Sequence, residues 1–182
     1  MKAVLCGLLF LLSTSLYAQV QKGNYLLGGN LSFQSTQYSA DESKTTKWNV
    51  NPNAGYFFID KLVGGARVSF IQLEHEGDSF TDIMAGPFVR YYFLPVDRKT
   101  NLFLDAAYLF GSEKYDDFDA VGKTELGFAA GPAFFFNPSI AMEAVISWRS
   151  LKYKNADGKY NTLGIGVGLQ IHFQCNKKKE GK

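Results

Sequence analysis

Cysteine is almost missing: Cys6 and Cys175 are the only two in 182 residues. Cys6 lies very near the start, inside an apolar run and without the small residue that precedes a lipoprotein cysteine, which excludes lipidation there. If the leader is removed, Cys175 stands alone and an internal disulfide is impossible. Histidine is just as scarce, with His75 and His172 the only two, so few side chains are suited to base catalysis near neutral pH. Net charge is small: 19 Lys plus Arg against 17 Asp plus Glu give +2, too little for a nucleic-acid footprint. Long apolar runs are missing too. Ala3 to Leu12 is too short to span a bilayer as a helix, and the stretch from Leu126 to Trp148 is broken by Pro132, Asn137, Pro138 and Glu143.

What the chain does have is 18 Gly, 16 Phe and 10 Tyr beside 5 Pro, a balance that favours strands and close strand contacts. The length suits one domain. Lys2, the apolar run and Leu16-Tyr17-Ala18 before Gln19 read as an export signal cleaved after Ala18. The expected division is a signal peptide over 1–18, a β-domain over 19–173 and a basic periplasmic tail over 174–182.

About eight runs in the β-domain alternate with period two, which sends successive side chains to opposite faces of a strand. In the first, Tyr25, Leu27, Gly29, Leu31 and Phe33 oppose Gly28, Asn30, Ser32 and Gln34; in the second, Trp48, Val50, Pro52, Ala54, Tyr56 and Phe58 oppose Lys47, Asn49, Asn51, Asn53 and Gly55. The eighth is the sharpest, setting Leu163, Ile165, Val167, Leu169, Ile171 and Phe173 against Gly164, Gly166, Gly168, Gln170 and His172. The fifth is less clean, because Phe103 and Leu109 share a face with Asp105. Polar links near 37–44, 74–80, 112–123 and 152–159 alternate with shorter ones, the rhythm of an up-and-down barrel with long outer loops and short periplasmic turns. Runs of about ten residues suit a tilted membrane strand.

Alternation alone also fits a soluble sandwich or a lipocalin-like barrel. Three features favour lipid outside. The polar face carries both signs of charge, Lys47, Arg67, Asp82, Arg90, Asp105, Glu125, Glu143 and Arg149, a set able to pair across a narrow lumen. Trp48, Tyr56, Tyr91, Tyr108 and Trp148 fall near the ends of the apolar faces, as interfacial girdles require. The export signal supplies the route. The expected fold is all-β: a transmembrane, up-and-down antiparallel β-barrel of eight strands.

The strand Leu163 to Phe173, ending in an aromatic near the C-terminus, resembles the terminal recognition strand of bacterial outer-membrane proteins. With Gly86-Pro87-Phe88-Val89-Arg90-Tyr91-Tyr92-Phe93 and Gly127-Phe128-Ala129-Ala130-Gly131-Pro132, the chain resembles the OmpA/OmpX-like eight-stranded outer-membrane β-barrel family in its Bacteroidetes form. That resemblance implies location in the outer membrane of a Gram-negative cell. It also implies contact with membrane lipid and lipopolysaccharide, and insertion by the barrel-insertion machinery through Leu163 to Phe173. A monomer with a structural or surface-interaction role and no cofactor is expected. Gln174 to Lys182 extend past the usual terminal aromatic, and no peptidoglycan-binding domain is included, so cell-wall anchoring is not implied.

Other chemistry has weaker support. Gly164-x-Gly-x-Gly168 lacks the helix a phosphate loop needs. Glu74, His75, Glu76 and Asp78, or Asp116, Asp117 and Asp119, are candidate loop ligands for a divalent ion, but neither spacing fixes a coordination geometry and solvated loop acids explain both. His75 and His172 are expected at opposite ends of the barrel, neither with a serine and acid at a recognisable spacing, so an enzyme is not expected. Lys114, Lys123, Lys152, Lys154 and Lys159 are placed in outer loops, facing lipopolysaccharide phosphates. Lys177, Lys178, Lys179 and Lys182 make the basic tail. A small-solute pore is the first alternative, since charges inside a membrane barrel are functional candidates in their own right, and a lipid-modifying outer-membrane enzyme is the second.

Overall fold

A computed structural model describes residues 20–37, 44–75, 78–95, 98–113, 121–154 and 158–173. The strands are β1 (Tyr25–Gln37), β2 (Lys44–Ile59), β3 (Leu62–His75), β4 (Asp78–Tyr92), β5 (Thr100–Glu113), β6 (Val121–Asn137), β7 (Ile140–Tyr153) and β8 (Lys159–Phe173). Each pairs antiparallel with its sequence neighbour, and β1 pairs with β8 from Tyr25↔Phe173 to Leu31↔Val167 to close the barrel. Closure supplies backbone partners without leaving a sheet edge, the condition for a sheet inside hydrocarbon. Segments 1–18 and 174–182, expected as signal peptide and tail, lie outside the described residues, as do Cys6, Cys175 and the acids at 116, 117 and 119.

Strands of 13 to 17 residues exceed the expected ten. The difference is largest in the second outer loop. Residues expected as a link over 74–80 instead continue the ladder, with Leu73↔Phe80, Glu74↔Ser79 and His75↔Asp78 paired, so that only 76–77 separate β3 from β4. Polar sequence signals the end of the apolar band, not the end of backbone pairing, because a strand can run on beyond lipid once water solvates its side chains.

The outer face is apolar, with Leu27, Val50, Phe70, Ile83, Val89, Leu104, Ile146, Ile165 and Val167 all exposed. Aromatic residues mark its two limits. Tyr25, Tyr56 and Tyr91 sit toward the turn end, Trp48, Tyr108 and Trp148 toward the loop end. On β2, Trp48 and Tyr56 are separated by roughly 26 Å of strand at ~3.3 Å per residue, comparable to the ~25 Å apolar band of such barrels.

Short turns close the other end. Asp60-Lys61 joins β2 to β3, with Lys61 in the left-handed region at φ 69°. Asn137 Oδ1 accepts the N–H groups of Ser139 and Ile140, both at 2.8 Å, and so shapes the β6–β7 turn. Inside, glycine allows close strand approach: a Cβ at Gly131 would collide with the Ala144 carbonyl oxygen, and one at Gly65 with that of Ala54.

The interior is not uniformly polar. Leu26, Phe57, Val63, Tyr92, Phe103, Phe135 and Ala141 are buried at the turn end, capped by Val20 ahead of β1. This is why β5 alternates untidily: Phe103 and Leu109 face inward with Asp105, 2% and 3% exposed, as part of an apolar filling. A barrel of eight strands is just wide enough for inward side chains to occupy its middle.

Candidate functional site

The eight charges expected in the lumen are distributed over two levels. Arg67 (β3), Arg90 (β4), Asp105 (β5) and Glu143 (β7) form one buried cluster in mid-barrel. Arg67 grips Asp105 with two parallel bonds, Nη1 to Oδ1 at 2.7 Å and Nη2 to Oδ2 at 2.8 Å, the fork geometry of the strongest side-chain ion pairs. Arg90 Nε donates to Asp105 Oδ2 at 3.0 Å while its Nη1 reaches Glu143 Oε1 at 2.7 Å, so one guanidinium ties two carboxylates on different strands. Gln170 Nε2 on β8 donates to Glu143 Oε2 at 3.3 Å, and Arg90 Nη1 lies 3.3 Å from the Tyr92 hydroxyl.

Two cations and two anions make this cluster neutral. Aromatic faces complete it: the Arg67 guanidinium lies 4.8 Å from the Phe88 ring centre, and that of Arg90 4.4 Å from Phe103. Burying charge is costly in itself, and pairing with hydrogen bonds is the arrangement that offsets most of the cost. The cluster therefore fixes how β3, β4, β5, β7 and β8 meet, a task a purely apolar filling would specify less sharply.

Asp82 (β4) belongs to a second pair nearer the loop end, where Lys123 Nζ meets its Oδ2 at 2.6 Å. Lys123 was expected in an outer loop facing lipopolysaccharide. It is instead inward on β6, only 4% exposed, with its ammonium 5.7 Å from the Tyr153 ring centre. The ladder extends past the point where the sequence turns polar, and inward parity on β6 carries Lys123 into the lumen with Glu125. Lys47 (β2), Glu125 (β6) and Arg149 (β7) join neither the mid-barrel cluster nor one another at hydrogen-bonding distance in any described contact. They line an open cavity of about 620 Å³ toward the loop end.

Free space in mid-barrel is far smaller, about 50 Å³ between Asn49, Asn51, Arg67, Asp105 and their neighbours. Below it stands the aromatic plug. His172 is 2% exposed inside that plug, its ring 5.3 Å from Phe135, 5.8 Å from Phe57 and 6.2 Å from Tyr92 between centres. Aromatic surfaces surround it, a setting for packing and not for activating a hydroxyl nucleophile. The side chains of Glu74, His75 and Asp78 are outside the described set, and among the described residues no group of three or more His, Cys, Asp or Glu is placed to hold a metal ion.

Sequence reasoning missed Tyr92, Phe88, Phe103, Gln170 and Lys123 as partners of the charges. Their signal was parity: each lies an even number of residues from an inward charge or polar residue on its own strand, so the pleat had already put it inside.

Solved structures with this architecture match over nearly their whole length. Neisserial surface protein A aligns with a TM-score of 0.59 at 14% identity, covering 82% of this chain and 97% of its own. The N-terminal β-barrel domain of Pseudomonas aeruginosa OprF gives 0.54 at 13%, covering 84% and 98%. The outer membrane protein OprG of the same organism gives 0.53 at 12%, covering 87% and 100%. At such identities the likeness is one of fold. No curated protein matches by sequence. A family model does: residues 4–173 match that of the outer membrane protein beta-barrel domain, and with a lipid-ready outer face around a closed eight-stranded barrel, the chain belongs to that outer-membrane family.

Proposed function

We propose that this protein is a non-enzymatic barrel of the outer membrane that contributes to envelope integrity or surface interaction, with its loop end as the contact surface. The observation that carries this reading is the filled lumen: the Arg67–Asp105–Arg90–Glu143 cluster lies above a plug of Phe57, Tyr92, Phe103 and Phe135. A path for solute would have to break paired charges and displace packed rings, both opposed by several kcal/mol. Exposed Lys152, Lys154 and Lys159 at the loop end are suited to lipopolysaccharide phosphates. Export through residues 1–18, insertion through the Leu163 to Phe173 strand and a monomeric state belong to the same proposal.

Reconstitution into planar bilayers tests it. The refolded protein is expected to leave the membrane non-conducting at every applied potential, and reproducible single-channel openings would replace this reading with that of a small-solute pore.

A further inference from the structure

The cavity of about 620 Å³ at the loop end falls within the range of small-ligand sites, and its lining has the composition of one. Leu151, Tyr153 and Tyr160 give it an apolar, aromatic wall, with the two tyrosine rings edge to face at 5.8 Å between centres. Lys47, Arg149 and Glu125 are its charged groups. Two cations against one carboxylate leave a surplus of one positive charge, because the neighbouring Lys123 is already bound to Asp82. Lys47, Glu125 and Arg149 all line this one volume. Toward mid-barrel, past Glu125 and Arg149, the free space narrows to about 50 Å³ beside Arg67 and Asp105.

From this combination we propose that the cavity is a binding site for small amphipathic carboxylates, the carboxylate seated between Lys47 and Arg149 and the apolar body against Leu151, Tyr153 and Tyr160. Lys47 on β2 and Arg149 on β7 line the same cavity from strands separated by β1 and β8, so a ligand anion would bridge strands that share no ladder. Glu125 is the selectivity element: it repels the anion and keeps the site empty of ligands whose apolar part contributes little. The inference goes beyond the structural role and rests on that reading's closed lumen.

The full-length barrel in lipid nanodiscs is titrated calorimetrically with 3-phenylpropionate and with its neutral isostere 3-phenylpropionamide, empty nanodiscs serving as blank. Saturable binding of the acid is expected, with the amide about tenfold or more weaker. Lys47→Gln and Arg149→Gln should each weaken the acid about tenfold and leave the amide unchanged, whereas Glu125→Gln should tighten the acid a few-fold. Heat-modifiable migration reports whether each variant is folded, and the comparison of acid with amide on the unaltered protein needs no variant. Absence of saturable binding overturns the proposal, as does equal affinity for acid and amide. Weakening of the acid by Glu125→Gln does so too. Failure here leaves the non-conducting barrel intact, while channel openings in a planar bilayer would overturn that reading independently.

Discussion

Arg90 is the residue on which the lumen turns. Its guanidinium binds Asp105 and Glu143 together and is itself fully buried, so its removal would leave Glu143 buried without an ion-pair partner and Asp105 held by Arg67 alone. Arg90→Leu is therefore expected to destabilise the folded barrel by on the order of 3 to 5 kcal/mol, read as a lower urea midpoint for the vesicle-inserted protein. Replacing Arg67, Arg90, Asp105 and Glu143 together by apolar residues of similar size should recover much of that loss, because no charge of the cluster is then left unpaired. His172 carries the opposite expectation. Its two ring nitrogens have no hydrogen-bond partner among the described residues, yet the ring is packed between Phe57, Tyr92 and Phe135. His172→Phe removes two unsatisfied polar atoms and keeps an aromatic ring, so stability should rise by about 1 kcal/mol or more in the same urea titration. A fall would show that the imidazole makes a polar contact essential to the fold.

At the scale of the element, the turns hold the clearest local strain. Lys61 occupies the left-handed region at φ 69° while its N–H donates to the Val20 carbonyl at 2.8 Å and its own carbonyl accepts the Tyr92 N–H at 2.9 Å. Those bonds anchor the segment before β1 and the end of β4 to one tight turn. Lys61→Gly should preserve them and stabilise by a few tenths to about 1 kcal/mol, while Lys61→Val should cost about 1 to 2 kcal/mol because a branched side chain tolerates that conformation poorly. Thermal unfolding of the three proteins side by side gives the order. The strands themselves were legible as runs of alternation, since period two leaves a strong mark wherever one face meets lipid. Their outer ends were not: β3 and β4 continue through Glu74↔Ser79 and His75↔Asp78, where the sequence is polar at successive positions and alternation carries no information.

For the whole molecule, the closed ladder predicts a folded form that survives detergent at room temperature and unfolds only on heating. Outer-membrane fractions run without and with boiling should show two migration positions for this chain, and sequencing of the band should begin at Gln19. Absence from the fraction would contradict the barrel's location, whereas a band beginning at Met1 would leave the location standing and remove the expected cleavage. On the proposed reading it is the filled lumen, not the strand count, that would keep a barrel of this size from conducting.

The sequence by itself determined the class of fold, the strand number and the two faces, because lipid outside and a narrow lumen inside impose a period of two that no helix reproduces. It also supplied the charges of the lumen, since ionisable groups on an inward face of a membrane barrel need partners. Only the tertiary structure decided who those partners are. Arg67, Arg90, Asp105 and Glu143 meet because strand stagger around the ring brings distant positions to one level, while Lys47, Glu125 and Arg149 are left at another beside an open cavity. Stagger is a property of how eight strands close on one another, and no single strand encodes it.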